Sequence, residues 1–244
     1  MSYDYSENIL VQESAGHLLE DELGWHVELA YNTEVLGETG TFGRKSYKEI
    51  LLVKYFKQAL SKLNPWLTSA LLEDAIKTFE SHMSSASLMQ INEEKYRYIR
   101  DGIPVKVKKP NGQIEEKKTI VIDFNNPENN DFLAIKEMKI YGDLYRRRTD
   151  IVGFVNGIPL LFIELKKNSV DVQNAYIDNY TDYLDTIPHL FYYNTFLMLS
   201  NGTEAKVGTL GSEYEFFHEW KRLSEQEEGN VALETMLRGI CKKD

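Results

Sequence analysis

The sequence predicts an α/β fold, a sandwich in which helices cover a mixed sheet. Apolar residues recur at helical spacing through the first 100 residues, and the period then changes to two, which is typical of strands. After residue 130, three strands, a helix and two more strands follow one another, an order that favours a mixed sheet. A hydrophobic content of 42% in 244 residues supports a folded chain with a large core.

Helices dominate the first 100 residues. The apolar spacing predicts helices over about residues 8–23, 47–63, 68–81 and 87–100. Gly24 ends the first helix, Asn64-Pro65 ends the second, and Thr68 caps the third. A hairpin follows, with strands near residues 105–107 and 119–122 around the turn at 110–112.

The second half of the chain supplies the predicted sheet. We expect strands over residues 132–140, 150–155, 159–166, 196–200 and 205–210. Asn168 or Ser169 is expected to cap a helix that runs to about Asp185 and ends before Pro188. Helical spacing returns over about residues 212–242.

These elements predict one domain over residues 1–244. Its core is expected at about 8–30 and 130–212, with a helical and hairpin insertion at about 44–124 and a helical tail at 212–244. The last residues still carry helical spacing without a clear cap, so we expect a fragment of a longer chain.

Composition narrows the class of protein. The net charge of −10 argues against a surface that binds nucleic acid everywhere, but allows a local basic patch. Cys241 is the single cysteine, which excludes a disulfide framework and a cysteine-based zinc site. The longest apolar run, Ile158–Ile163, is too short to cross a bilayer, and the first residues do not resemble a signal peptide. We therefore expect a cytoplasmic protein without a membrane partner.

The most distinctive pattern joins two acids and a lysine. Asp150 opens one apolar strand, Glu164-Leu165-Lys166 closes the next, and Asn156-Gly157 between them favours a hairpin. Side chains alternate along a strand, so Glu164 and Lys166 share one face. Charges on a buried sheet are costly to desolvate, and such a group is typical of a metal site or a catalytic site.

The length of the turn decides whether Asp150 lies on the same face. A two-residue Asn156-Gly157 loop would place Asp150 opposite Ile163, on the other face. A three-residue loop over 155–157, with Gly157 left-handed, places Asp150 opposite Phe162 and one step from Glu164. We predict the three-residue loop with a bulge.

This cluster suggests phosphodiester chemistry. Asp150, Glu164 and the backbone carbonyl of Leu165 offer hard oxygen ligands for one or two Mg²⁺ ions. Such an ion would polarise a phosphoryl oxygen, and Lys166 would orient water or stabilise charge on the phosphate. The alternative is a turn acid beside an ordinary ion pair, since this spacing is common by chance.

Longer runs resemble the N-terminal nuclease domain of the type I restriction enzyme R subunit. They occur in order across about residues 8–215 and read FGR (42–44), LSKLNPWLTSALLEDAIKTF (60–79), IDFNNPENNDF (122–132), RRRTDIVGFVNGIPLLFIELKK (146–167) and IPHLFYYNTFLMLSNGTEAKVGTL (187–210). The resemblance implies a restriction-endonuclease-like core of the PD-(D/E)xK class. It also implies that Asp150, Glu164 and Lys166 are the catalytic acids and lysine.

The same resemblance implies a function and partners. The family cleaves double-stranded DNA with Mg²⁺, away from a recognition site that a partner subunit reads. The expected partners are the methyltransferase (M) and specificity (S) subunits. No phosphate loop and no helicase motif occurs in the 244 residues, so ATP would serve only the absent motor domains. The isolated chain is expected to cut weakly or not at all, because its net charge repels DNA.

Supporting residues also follow from the resemblance. The family's Gln-x-x-x-Tyr motif matches Asn179 and Tyr183, which are four apart and share a helix face, although Asn179 is one methylene shorter than Gln. Glu13 lies on the first helix, where related nucleases sometimes place a further metal-linked acid. A basic run precedes Asp150 and is expected to meet DNA phosphates, or else to form a solvated face or contact another domain. Its members are Arg146, Arg147 and Arg148.

Two rival hypotheses remain at this point. A non-catalytic docking domain would anchor the motor to the methyltransferase core, in line with the acidic net charge and the long insertion. It predicts that Asp150, Glu164 and Lys166 do not converge. A stand-alone nuclease is the other alternative, and the unfinished C-terminal helix argues against it.

Overall fold

A seven-stranded mixed sheet forms the centre of the computed structural model, which describes residues 7–220, 223 and 233–243. The helices are α1 (Glu7–His17), continued by a π-helical turn (Leu18–Glu22), α2 (Val53–Leu63), α3 (Ser69–Glu80), α4 (Leu88–Asp101), a π-helix (Ala175–Tyr180) continued by α5 (Thr181–Thr186), and α6 (Leu233–Ile240). The strands are β1 (His26–Leu29), β2 (Pro104–Lys108), β3 (Ile114–Lys118), β4 (Phe132–Lys136), β5 (Lys139–Tyr141), β6 (Arg146–Arg148), β7 (Ile151–Val155), β8 (Ile158–Leu165), β9 (Phe196–Ser200), β10 (Ala205–Gly208) and β11 (His218–Glu219).

The strand order of the sheet is β1-β4-β7-β8-β9-β10-β11. The pairs β1–β4 and β8–β9 are parallel, whereas the other neighbours are antiparallel. Two short hairpins, β2–β3 and β5–β6, lie outside this sheet. This arrangement confirms the predicted α/β fold, a mixed sheet flanked by helices.

Helices cover both faces of the sheet. Ile151 and Ile163 point to the face on which α1 and α6 pack. Val152 and Phe162 point to the opposite face, where Tyr183 on α5 packs against them. Strand β8 is therefore buried on both sides, which explains why its sequence is almost continuously apolar. A polar side chain at the end of β8 is consequently shielded from solvent.

The insertion between β1 and β4 has its own core. Helices α2 to α4 and strand β2 enclose Phe56 and Phe79, whose rings stack with centroids 4.7 Å apart. The predicted cap of α3 is confirmed, since the Thr68 side chain accepts a hydrogen bond from Leu71 N. Ile158 of the main sheet joins this core, so the insertion packs on the turn between β7 and β8.

Several predicted boundaries are wrong. Helix α2 begins at Val53 instead of residue 47, because Leu52 N donates to Gly157 O and ties the preceding residues to the β7–β8 turn. The second strand of the insertion hairpin is β3, not residues 119–122, since Lys109 N bonds Gln113 O and closes the turn early. The strand expected over 132–140 breaks at Glu137, which has a left-handed φ of 53°.

The later boundaries also differ. The helix expected from Asn168 or Ser169 begins with the π-helix at Ala175, because hydrogen-bonded turns occupy the residues before it. Strand β10 ends at Gly208 rather than at residue 210. Over 212–220 the tail has only a short 3₁₀ turn, Tyr214–Phe216, followed by β11, which pairs with β10. It is helical over Leu233–Ile240, and the rest of the predicted tail lies outside the described residues. Strands β1 and β6 were not predicted.

None of the helices in the described part of the chain has both the length and the apolar character needed to cross a bilayer.

Candidate active site

The β7–β8 hairpin determines which residues meet. Asn156 and Gly157 form a two-residue turn with φ values of 53° and 79°, as a type I′ turn requires. Val155 pairs with Ile158, but Gly153 pairs with Leu161, so Leu160 is an extra residue in β8. The predicted three-residue loop is therefore wrong, and the bulge lies in the strand instead of the turn.

This bulge brings the two acids together. Ile151 pairs with Ile163, and one further step of the same register places Asp150 opposite Glu164. Directly opposed residues of antiparallel strands share a face. Asp150 Oδ2 accepts a hydrogen bond from Leu165 N at 2.7 Å, which holds the first acid against the end of β8. Asp150 and Glu164 therefore share a face as predicted, but the cause is the extra residue in β8 and not a three-residue turn.

Burial sets the charge state of the acids. Glu164 is 2% exposed, and its pKa is raised well above the usual value by burial and by the neighbouring Asp150 charge, against the opposing effects of Lys166 and Asn179. Burial also raises the pKa of Asp150 to about 6, while the Leu165 N–H and Lys166 oppose the rise. Among the described residues, none donates a hydrogen bond to Glu164 Oε2.

Lys166 and the following helix close the site. Lys166 Nζ donates to Asn179 Oδ1, so the shorter amide reaches the lysine. Asn179 lies in the π-helix, a wide turn that is frequent at functional sites. Tyr183 is buried one turn later, and its hydroxyl donates to Arg148 O at 3.1 Å. We call Asp150, Glu164 and Lys166 the acid cluster.

The basic run forms β6, which pairs with β5 immediately before Asp150. Arg147 makes a bidentate ion pair with Asp182 on α5, in which Nε and Nη2 of Arg147 lie 2.5 and 2.7 Å from the Asp182 carboxylate oxygens. Arg148 Nη1 lies 3.2 Å from Glu137 Oε2. Arg146 is exposed and lies over the Tyr141 ring. The three arginines thus have different surroundings, which the sequence pattern did not distinguish.

Helix α1 reaches the first acid through a residue that sequence reasoning missed. Glu13 bonds Lys136 Nζ through both carboxylate oxygens, at 2.7 and 2.8 Å. The neighbouring Gln12 is buried, and its Nε2 donates to Asp150 O at 3.0 Å. Glu137 N donates to the same carbonyl at 2.8 Å. The apolar spacing of α1 was the available signal, because it places Gln12 beside Val11 and Ala15 on the buried side.

The donor set fits a hard divalent cation. Within the described ranges, no three His, Cys, Asp or Glu side chains gather into a possible metal-binding group. Mg²⁺ commonly uses one or two carboxylates and takes its other ligands from water and substrate phosphate. Asp150 and Glu164 match that pattern, and the unpartnered Glu164 oxygen provides a free acceptor.

Comparison with known proteins places the chain in a family. Residues 4–216 match the family model described as Type I restriction enzyme R protein N terminus. The chain is 29% identical over 231 residues to the type I restriction enzyme HindI endonuclease subunit of Haemophilus influenzae, covering 91% of this chain and 21% of that subunit. It is 30% identical over 225 residues to the putative type I restriction enzyme MjaIXP endonuclease subunit of Methanocaldococcus jannaschii, covering 82% of this chain and 21% of that subunit.

The chain spans about a fifth of the length of these two relatives. Its seven-stranded mixed sheet, flanked by helices, is consistent with a restriction-endonuclease-like fold. The extent of the family match, from residue 4 to residue 216, includes the whole acid cluster. The chain therefore belongs to the family of type I restriction enzyme R protein N termini.

Proposed function

We propose that this chain is the Mg²⁺-dependent endonuclease domain of a type I restriction enzyme and cleaves phosphodiester bonds in double-stranded DNA. The observation that carries the proposal is the buried Glu164 carboxylate, which has an unpartnered oxygen beside Asp150 and close to Lys166. Burial favours the protonated form of Glu164, because its carboxylate charge would be costly without a partner, and a structural ion pair would not leave it so. A bound cation offsets that cost.

Each residue of the acid cluster has a role in this proposal. Asp150 and Glu164, with the Leu165 carbonyl, would hold Mg²⁺, which supplies Lewis-acid polarisation of the phosphoryl oxygen when bound. Lys166 carries a positive charge that would stabilise the negative charge developing on the phosphate. Asn179 accepts from Lys166 Nζ and so limits where that ammonium group lies.

The DNA contact is expected to be local, because the net charge of −10 disfavours a general association with DNA. Strand β6 lies next to Asp150 in the chain and exposes Arg146 and much of Arg148. Arginines bind phosphates without reading sequence, so this strand would position a duplex beside the acid cluster. Sequence recognition would belong to another subunit.

The larger assembly is part of the proposal. Both compared relatives are named as endonuclease subunits of type I restriction enzymes, and they are about five times as long as the matched region. We propose that the remaining length of the complete subunit carries the ATP-driven motor, and that M and S subunits complete the complex. Cleavage would then follow translocation and occur away from the recognition site.

The geometry favours a nuclease over a docking domain. A docking domain has no need to bring Asp150, Glu164 and Lys166 together. Asp150 bonds the backbone between Glu164 and Lys166, and the charges of Asp150 and Lys166 both influence the pKa of Glu164. This convergence supports catalysis, because it incurs a desolvation cost that docking alone would not require.

Substitution in the complete R subunit, assembled in its restriction complex, tests the proposal. Asp150→Ala and Lys166→Ala are expected to reduce DNA cleavage by at least about 100-fold while ATP hydrolysis continues. Asp178→Ala, which removes an exposed acid from the π-helix, is the matched control and should cut like the wild type. If the Asp150→Ala subunit cleaves DNA as fast as the wild type, the proposal is refuted.

A further inference from the structure

A bidentate ion pair joins β6 to the helix that covers the acid cluster. Arg147 Nε and Nη2 lie 2.5 and 2.7 Å from the two carboxylate oxygens of Asp182. The Arg147 side chain is 26% exposed and that of Asp182 35%, so the pair is half-buried. Bidentate geometry fixes the orientation of both groups as well as their separation.

The position of this pair sets it apart from an ordinary surface ion pair. Arg147 lies three residues before Asp150, on the strand that leads into the catalytic acid. Asp182 directly precedes Tyr183 and lies three residues, almost one turn, after Asn179. Any shift of α5 relative to β6 therefore moves the two side chains that face the acid cluster.

A second link runs parallel to the first. The Tyr183 hydroxyl donates to Arg148 O, the carbonyl next in the strand after Arg147. One link is ionic and the other is a hydrogen bond to backbone, and they attach successive helix residues to successive strand residues. Together they attach the helix to β6 at two adjacent points, while Asn179 contacts Lys166 Nζ.

We propose that Arg147 and Asp182 are a positioning pair that holds Asn179 and Tyr183 against the acid cluster. The inference rests on the proposed nuclease function and adds two residues to it, neither of which touches the reacting atoms. It also divides the basic strand by role. Arg147 is committed to Asp182, whereas Arg146 and the exposed part of Arg148, which also pairs with Glu137, are offered to DNA phosphates.

The chain contains a matched control pair. Arg238 and Glu22 also form a bidentate pair, in which Nε and Nη2 of Arg238 lie 2.9 and 3.0 Å from the Glu22 carboxylate oxygens. Their side chains are 33% and 52% exposed. This pair joins α6 to the π-helical turn after α1, on the opposite face of the sheet from Tyr183. Glu22→Gln therefore removes a comparable interaction without touching the helix that carries Asn179.

The direct test is the solvent exchange of the Lys166 ammonium protons, one of which Asn179 Oδ1 accepts, measured by NMR on this chain. Asp182→Asn and Arg147→Gln are expected to accelerate that exchange by at least about tenfold. Glu22→Gln should leave it unchanged. The buried Asn156 amide, which bonds Val121 O and Asn130 Oδ1, serves as an internal reference for global opening.

Two results would overturn the proposal. Exchange at Lys166 in Asp182→Asn that equals exchange in Glu22→Gln would show that the pair does not position the Asn179 amide. Equal acceleration at Lys166 and Asn156 would show that the pair acts only through overall stability. Neither result depends on whether the chain cleaves DNA.

Cleavage by the complete subunit extends the test. Asp182→Asn should lower kcat by about tenfold with the KM for DNA unchanged, because misplacement affects the chemical step rather than phosphate contacts. Asp182→Glu keeps the charge and should recover most of kcat. If Asp150→Ala still cuts, the proposed function fails, whereas unchanged kcat in Asp182→Asn with an inactive Asp150→Ala refutes the positioning pair alone.

Discussion

Two of the groups of buried ionisable side chains in the described residues are satisfied to different degrees. One is the ion pair of Arg44 and Glu34, whose side chains are 0% and 2% exposed. The other is the acid cluster, in which Glu164 is equally buried. Both incur a desolvation cost, so the difference between them lies in how that cost is offset.

The Arg44 pair is offset entirely from within the fold. Arg44 Nε and Nη2 donate to the two Glu34 carboxylate oxygens at 2.8 and 2.6 Å. Two further N–H groups donate to the carbonyls of Glu49 and Lys139, both at 3.1 Å. This arginine ties the loop before α2 to strand β5 and needs nothing from outside the chain.

The acid cluster contains two carboxylates but only one cation, Lys166. Both acids have raised pKa values, and Glu164 Oε2 has no donor among the described residues. Burial alone therefore does not distinguish the two groups. The buried Glu164 oxygen without a donor does, and unsatisfied polar groups of this kind are typical of functional sites, where they are retained at a cost in stability.

The largest expected effect is on the satisfied pair. Glu34→Gln should destabilise the fold by about 3–5 kcal/mol, because it leaves a buried guanidinium without its counter-charge. The melting temperature should fall by roughly 6–20 °C for a chain of this size. Thermal and urea unfolding would measure the change. A loss below about 1 kcal/mol would contradict the view that this pair is structural.

The same kind of substitution in the acid cluster should act in the opposite direction. Asp150→Asn is expected to stabilise the metal-free chain by about 1–3 kcal/mol at pH 7.5, since the rise of the pKa from 3.8 to about 6 reflects the cost of the charge. Urea unfolding with a chelator present would measure it, with the exposed Asp178→Asn as control. Marked destabilisation would show that the Asp150 charge is structural.

The pH dependence of stability follows from the same shift. The folded state holds the Asp150 proton up to about pH 6, whereas the unfolded chain releases it near 3.8. The Asp150 contribution to stability is therefore fully present below pH 4 and is lost as pH rises through about 6. The difference in unfolding free energy between wild type and Asp150→Asn should grow between pH 4 and pH 7. A constant difference would contradict this account.

The smallest effect concerns Asn179. Asn179→Gln keeps an acceptor for Lys166 and adds one methylene, so the Kd for Mn²⁺ should change by less than about threefold. Asn179→Leu has a similar volume but no acceptor, and should raise that Kd by about tenfold. Calorimetric titration would compare the two variants. Equal values would show that the amide does not support the site.

Sequence patterns predicted the α/β fold, the central hairpin and the shared face of Asp150 and Glu164. The wrong turn length shows where such patterns stop. The extra residue in β8 is Leu160, whose carbonyl is bonded by Thr195 N and Asn194 Nδ2. Those partners lie more than 30 residues away, and alternation of apolar residues carries no information about them.

The missed residues have the same cause. Gln12 and Glu137 contact the Asp150 carbonyl from other parts of the chain. Strand β1 is only four residues long and none of its residues is buried; the alternation of polar and apolar residues in His26–Leu29 was the available signal and was overlooked. Contacts of this kind depend on tertiary packing, whereas the acids themselves could be found because strand ends and turn residues are local signals.

The most direct test of the central claim is a calorimetric titration of Mn²⁺ into the chain with a short DNA duplex present. We expect the wild type to bind the ion and both Asp150→Asn and Glu164→Gln to lose the binding heat, while Asp178→Asn retains it. Unchanged heat in the two acid-cluster variants, or no heat in the wild type, would contradict the claim that Asp150 and the unpartnered Glu164 carboxylate bind a cation.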